Sequence, residues 1–247
     1  MFNPSKPKFA VAVFASVVLL AACGGSDAPK PTDAPAKPAT QDPTTQVPGT
    51  SEVPGTLAPT AASVAVAPSG DAKEAVVAAT KKQLTSGPYR STTTIVTSDG
   101  TTELTGEVIP PDRMRVKSEA MEMIYVGQDS WAKSSGEWEK SKMPGSGVLA
   151  QFTEAFMDEM AGTMSDVKFV GPGEANGTPA WVYSYTSDLS KATTMKMDSK
   201  SAVKVWIGVA DGLIHKQEID GEAMGIKSKT TQVVEYDASI KIEAPVK

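Results

Sequence analysis

The chain has 247 residues, is 40% hydrophobic and 21% charged, and carries one cysteine, one histidine and a formal net charge of −5. That balance, with no dense Lys/Arg run, argues against a nucleic-acid partner, because phosphate binding needs clustered cations. A single cysteine rules out an intramolecular disulfide, and one cysteine with one histidine leaves too few ligands for a zinc site.

Residues 1–22 carry Lys6 and Lys8, then an uncharged apolar run from Phe9 to Ala22. This is the pattern of a secretory signal peptide, and the run is shorter than the roughly 18 to 20 residues a permanent membrane span needs. Leu20-Ala21-Ala22-Cys23 resembles the lipobox of bacterial lipoproteins. The resemblance implies that Cys23 carries a thioether-linked diacylglycerol, becomes the first residue after cleavage and is N-acylated. Two or three acyl chains on one residue hold a protein stably at a membrane, which a single chain does not. The expected location is therefore the cell envelope, with the domain outside the cytoplasm. Residues 23–70 follow as a Pro/Thr/Ala-rich stretch too poor in large apolar side chains to offset the entropy of ordering. It is expected to be a disordered tether, with a reach of about 35 to 40 Å.

The folded domain is expected over 71–247. Asp71 and Glu74 form a capping-box start to a helix whose Val76, Val77, Thr80 and Leu84 fall on one side, and Gly87-Pro88 ends it. Strand-like segments then recur every eight to twelve residues or so. Asp99-Gly100 and Asp211-Gly212 are expected as tight hairpin turns. Pro110-Pro111-Asp112, Gly127-Gln128-Asp129, Ser134-Ser135-Gly136, the stretch from Gly173 to Gly177, and Asp220-Gly221 punctuate the rest. One amphipathic helix interrupts the strands, from Val148 to Gly162, with Leu149, Phe152, Phe156 and Met160 at helical spacing. The expected fold is α+β: a curved antiparallel β-sheet with helices packed on its concave face.

Two stretches, MIYVGQDSWAKSSGEWEKSKM from Met123 to Met143 and VKVWIGVADGLIHKQEID from Val203 to Asp220, carry a family resemblance. With the order helix, strands, helix, strands, they resemble the LolA-like superfamily, which includes the LprG-type lipoproteins and periplasmic envelope-stress sensor domains. The resemblance implies a half-open barrel whose lumen binds acyl chains or lipidated partners. It differs in that LolA itself is a soluble carrier, whereas this chain has its own candidate anchor.

The candidate lining of such a lumen is apolar and soft: Phe152, Phe156, Met157, Met160 and Met164, with Met121, Met123, Met195, Met197 and Met224 nearby. Methionine adapts its shape to variable apolar partners, although ordinary helix-on-sheet packing satisfies the same pattern. Trp181, Tyr183 and Tyr185 alternate and so share one strand face, and Trp206 completes the set. If exposed, the aromatic row suits protein or carbohydrate binding; if buried, it is core. No catalytic residue is nominated, because His215 has no serine motif beside it. There is no calcium-loop motif, no metal site is assigned and no cofactor is expected. The functional expectation is a non-catalytic envelope lipoprotein that binds or transfers a lipid, a lipidated protein or another apolar ligand. The alternative is a tethered protein-interaction or sensor module without a ligand cavity.

Overall fold

The computed structural model describes residues 69–194, 197–223 and 225–245. The leader, Cys23, the tether up to residue 68, Met195 and Met224 lie outside the described residues.

Helix α1 (Ala72–Gln83) starts where the capping signal places it: one Asp71 carboxylate oxygen accepts from the N–H groups of Lys73 and Glu74, at 2.7 and 3.1 Å. Its buried stripe is not the predicted one. Val76, Ala79 and Gln83 point inward, while Thr80 turns its hydroxyl back onto the Val76 carbonyl at 2.9 Å. Ala72, Ala75 and Ala79 are small enough to let the helix lie close to the sheet, over Tyr183 and Val205.

Eleven antiparallel strands follow: β1 (Tyr89–Thr97), β2 (Gly100–Ile109), β3 (Arg113–Lys117), β4 (Glu122–Val126), β5 (Asp129–Lys133), β6 (Glu139–Lys140), β7 (Met164–Ala175), β8 (Thr178–Asp188), β9 (Ser199–Gly208), β10 (Ile214–Ala223) and β11 (Ile226–Tyr236). Their order in one sheet is β6-β5-β4-β3-β2-β1-β11-β10-β9-β8-β7. The first six strands meander outward from β1 and the last five meander back to it. The two termini of the strand series therefore pair at the centre, with Tyr89 opposite Tyr236 and Ser91 opposite Val234. The edges, β6 and β7, do not pair with each other, so the barrel stays half open. Two bulges and Pro172 interrupt β7, devices that suit an edge strand.

The hairpin signals at Asp99-Gly100 and Asp211-Gly212 correspond to turns, with Gly212 at φ +64°. Asp220-Gly221 does not. Both residues lie inside β10, Gly221 faces Ser201 across the ladder, and a Cβ there would collide with Ser201 Oγ. Glycine at that place serves close strand approach, and the turn comes later, at Gly225 with φ +79°.

The predicted single helix over 148–162 is also corrected. The segment is α2 (Gly145–Leu149), a 3-10 turn at Ala150–Phe152 and α3 (Glu154–Thr163). Thr153 sits between them in extended conformation and caps α3, its hydroxyl accepting from the Phe156 N–H. That cap restarts the helix on a new axis, so Phe152 and Phe156 do not share a stripe.

Three apolar clusters sit on the concave side. Leu149 and Phe152 pack with Met114, Val116, Met123 and Tyr125 over one half of the sheet. Val76 and Ala79 pack with Tyr183, Tyr185, Val203, Val205 and Ile207 over the other. Met160 joins Leu189 and Ala192, with Phe156 and Met197 beside them. A further cluster joins Ile240 and Ile242 of the C-terminal segment to Ile124, Trp131 and Trp138, with Arg113 Nη1 donating to the Ile242 carbonyl at 2.9 Å. No described helix is long and apolar enough to cross a membrane.

Candidate functional site

The candidate lining residues divide by face. On β8, Tyr183 and Tyr185 are 3% and 8% exposed, and half-buried Trp181 packs beside them against the α1 cluster. The row is therefore concave-side core, covered by α1. Phe169 of the edge strand closes it laterally, with ring centroids 5.7 Å from Trp181 and 5.4 Å from Tyr183. Phe152 lies under the other half of the sheet, and Met157 and Met160 are buried beneath α3. Trp206 stands apart: it alternates with Val205 and Ile207, which face inward, so its own ring is on the convex face. There it covers Gly173, opposite Val182, with Lys216 Nζ 4.5 Å above the ring.

Beneath α3 the space is lined by Met160, Met164, Tyr185, Val203, Gln217 and Ile219 and measures about 20 Å³. That is room for one water, well below the roughly 300 to 1,000 Å³ of ligand pockets. Larger hollows lie elsewhere. One of about 290 Å³ is bounded by Ser69 to Ala78, Phe169 and Tyr183 at the start of α1. Another, of about 570 Å³, is bordered by residues of β7 to β11, both charged, such as Lys168, Lys204, Glu218 and Lys229, and apolar, such as Val203 and Ile219.

α3 is held over the apolar floor by its buried Met157 and Met160 and, on its outer side, by polar contacts. Lys81 of α1 pairs with Asp158 at 2.6 Å, an exposed ion pair of the kind that contributes little. Glu159 accepts from the Thr193 and Thr194 hydroxyls, at 2.8 and 2.5 Å, and from both backbone N–H groups. These bonds, that from the Thr194 hydroxyl foremost, pull its pKa from the usual 4.5 down to about 2. A group with a depressed folded-state pKa stabilises above its unfolded pKa and loses that contribution as pH falls through the folded one. The advantage of wild type over Glu159→Gln is thus expected to be full above about pH 4.5 and gone near pH 2. Thermal unfolding of both proteins across that range measures it, and a constant difference would refute the clamp.

His215 Nε2 and Asp211 Oδ2 are 2.8 Å apart within the β9–β10 turn, and the imidazole edge meets Tyr236 at 5.7 Å. The Leu213 N–H also donates to the Asp211 carboxylate, at 3.0 Å. Burial opposes the Asp211 charge, but these bonds outweigh it and its pKa is lowered. The pair thus secures a turn beside α1, where Lys82 donates to the Asp211 carbonyl at 2.5 Å. Among the described residues no group of three or more His, Cys, Asp or Glu is placed to hold a metal ion.

The sequence reading missed a buried polar row across the middle of the concave face. Thr93, Gln232 and Gln217 stand opposite one another on β1, β11 and β10, and are 1%, 5% and 5% exposed. The available signal was the run of threonines in β1, whose inward positions Ser91 and Thr93 are polar where alternation would place apolar residues.

No family model and no curated protein matches the sequence. Among solved structures, LprF from Mycobacterium bovis superposes with a TM-score of 0.50 at 11% identity, over 71% of this chain and 97% of that one. LppX, a lipoprotein of Mycobacterium tuberculosis, gives 0.47 at 8% identity, over 70% and 98%. A LolA-superfamily protein from Nitrosomonas europaea gives 0.24 at 8%, over 60% and 83%. At such identities the likeness is one of fold. The half-open sheet, its central pairing of first and last strands, and the helices on its concave face make up a fold that this chain shares with LprF.

Proposed function

We propose that the protein is a cell-envelope lipoprotein, anchored through acylated Cys23, whose domain takes up a lipid, a lipidated protein or another apolar ligand on its concave face without catalysis. The observation that carries this reading is the unclosed sheet, whose apolar inner face is covered by a segment broken at Thr153 rather than by a continuous helix. Met160 and Met164 border the space beneath α3, and methionine reshapes to fit variable apolar surfaces. In the closed form that space is about 20 Å³, so uptake requires α3 to swing away on Thr153, releasing the Glu159 and Lys81 contacts.

The test is native mass spectrometry of the full-length protein extracted from its own envelope. A non-covalent apolar adduct, lost on collisional activation while the Cys23 lipid stays attached, is expected. Met160→Trp, which fills the space beneath α3, should lower uptake of a fluorescent acyl probe about tenfold. No adduct and no probe binding in wild type would overturn the carrier reading. That outcome would favour the tethered interaction module, for which the small interior and the exposed Phe169 and Val170 on β7 are the supporting observations.

A further inference from the structure

We infer that the concave face carries an uncharged hydrogen-bonding subsite, formed by the hydroxyls of Thr93 and Thr230 beside Gln217 and Gln232, for the ester or hydroxyl group of a neutral lipid. The inference deepens the carrier reading and rests on it.

A single row crosses the concave face from Leu104 on β2 through Thr93, Gln232, Gln217 and Val205 to Tyr183 on β8. Thr230 is two residues before Gln232 on β11 and so shares its face, opposite Ile219. Gln217 and Ile219 both line the space beneath α3, so the polar stretch continues directly from it. Thr93 and Thr230 are each 1% exposed, and their hydroxyls have no hydrogen-bond partner among the described residues.

Leaving a buried hydroxyl unpaired is costly, whereas valine has the same shape and would avoid the cost. Two such hydroxyls on adjacent central strands, both on the inward face, are therefore groups awaiting a partner. Their surroundings specify it. One apolar cluster lies over β2 to β4 and reaches Tyr89 and Val234 at one end of β1 and β11, and another lies over β8 to β10; Thr93, Gln232 and Thr230 stand farther along β1 and β11, beyond Tyr89 and Val234. A ligand with hydrocarbon on both sides of a polar linkage matches that sequence of surfaces. None of the six residues in the row, nor Thr230, is charged. A phosphate or carboxylate buried there would lack a counter-charge, whereas an ester carbonyl or hydroxyl needs only the donors and acceptors that Thr and Gln supply.

The experiment uses full-length, delipidated protein and two probes, dioleoylglycerol and the hydrocarbon squalane. Thr93→Val/Thr230→Val should weaken dioleoylglycerol binding about tenfold, a factor appropriate to one or two neutral hydrogen bonds. Squalane binding should be unchanged, and Thr93→Ser/Thr230→Ser should retain dioleoylglycerol affinity. Unchanged dioleoylglycerol affinity in the valine variant would overturn the subsite, leaving a buried water as the partner of the hydroxyls. Equal loss of both probes, in the double variant and in each single one, would overturn it as well, since the effect would then be on folding. If wild type binds neither probe, the carrier reading falls and the subsite with it.

Discussion

Tyr125→Ala will lower the stability of the domain by about 3 to 5 kcal/mol, the range for truncating a fully buried aromatic side chain. Tyr125 lies on β4, opposite Met114 on β3 and Ser130 on β5, and is 0% exposed. It shares a cluster with Met114, Val116 and Met123 from the sheet and with Leu149 and Phe152 from the covering segment. Removing the ring takes away both the floor and the seat of α2. Because domains of this kind have about 5 to 15 kcal/mol in total, the variant should lose about a fifth or more of its stability. Its hydroxyl donates only to Met123 Sδ, at 3.3 Å, and burial pushes its pKa up to about 12. A bond to thioether sulfur is weak, so Tyr125→Phe should cost no more than about 1 kcal/mol. Urea denaturation of the three proteins measures the difference. A loss below about 1 kcal/mol for alanine would mean that the covering segment is not packed on the sheet as described.

Cys23→Ser will release the protein from the membrane fraction. Each buried methylene contributes about 0.8 kcal/mol, so the two or three acyl chains proposed on Cys23 would hold the chain far more firmly than any contact its acidic domain would make with an anionic bilayer. Without the thiol there is no thioether, and the lipoprotein pathway has no substrate. Fractionation with detergent partition, together with the intact mass of the mature chain, checks the result. A variant that still sediments with membranes, at unchanged mass, would sink the lipobox reading. The proposed anchor and the proposed ligand face are separate in the sequence, so Cys23→Ser should leave probe binding by the domain intact, whereas Met160→Trp should leave membrane association intact.

Where the structure departs from the sequence expectations, the causes are local and identifiable. Thr153 reads as one more polar residue on a helical repeat, yet its side chain caps α3 and divides the repeat in two. Asp220-Gly221 has the composition of a turn, but the Ser201 side chain on the neighbouring strand takes the space a Cβ would need. On α1 the valines suggested one face, whereas alanines permitted closer approach and put Val76, Ala79 and Gln83 inside. Trp206 looked like a member of the aromatic set because its type is right. Strand alternation and its partners Val182 and Lys216 place it on the opposite surface.

From its sequence alone the chain declared an antiparallel sheet broken by one helical segment, the Asp71 start of α1, and the turns at Asp99-Gly100 and Asp211-Gly212. These are set by short-range chemistry: alternation, side-chain capping and tolerance of positive φ are properties of a few adjacent residues. Tertiary structure alone decided the pairing of β1 with β11, which leaves β6 and β7 as edges and the barrel open. It also decided which side of each strand faces α1 and α3, and it gathered Thr93, Gln217, Thr230 and Gln232 from three strands into one buried polar patch. The physical reason is that these outcomes depend on register between segments distant in the chain, more than a hundred residues apart for β1 and β11, where a shift of one residue would turn every side chain to the other face.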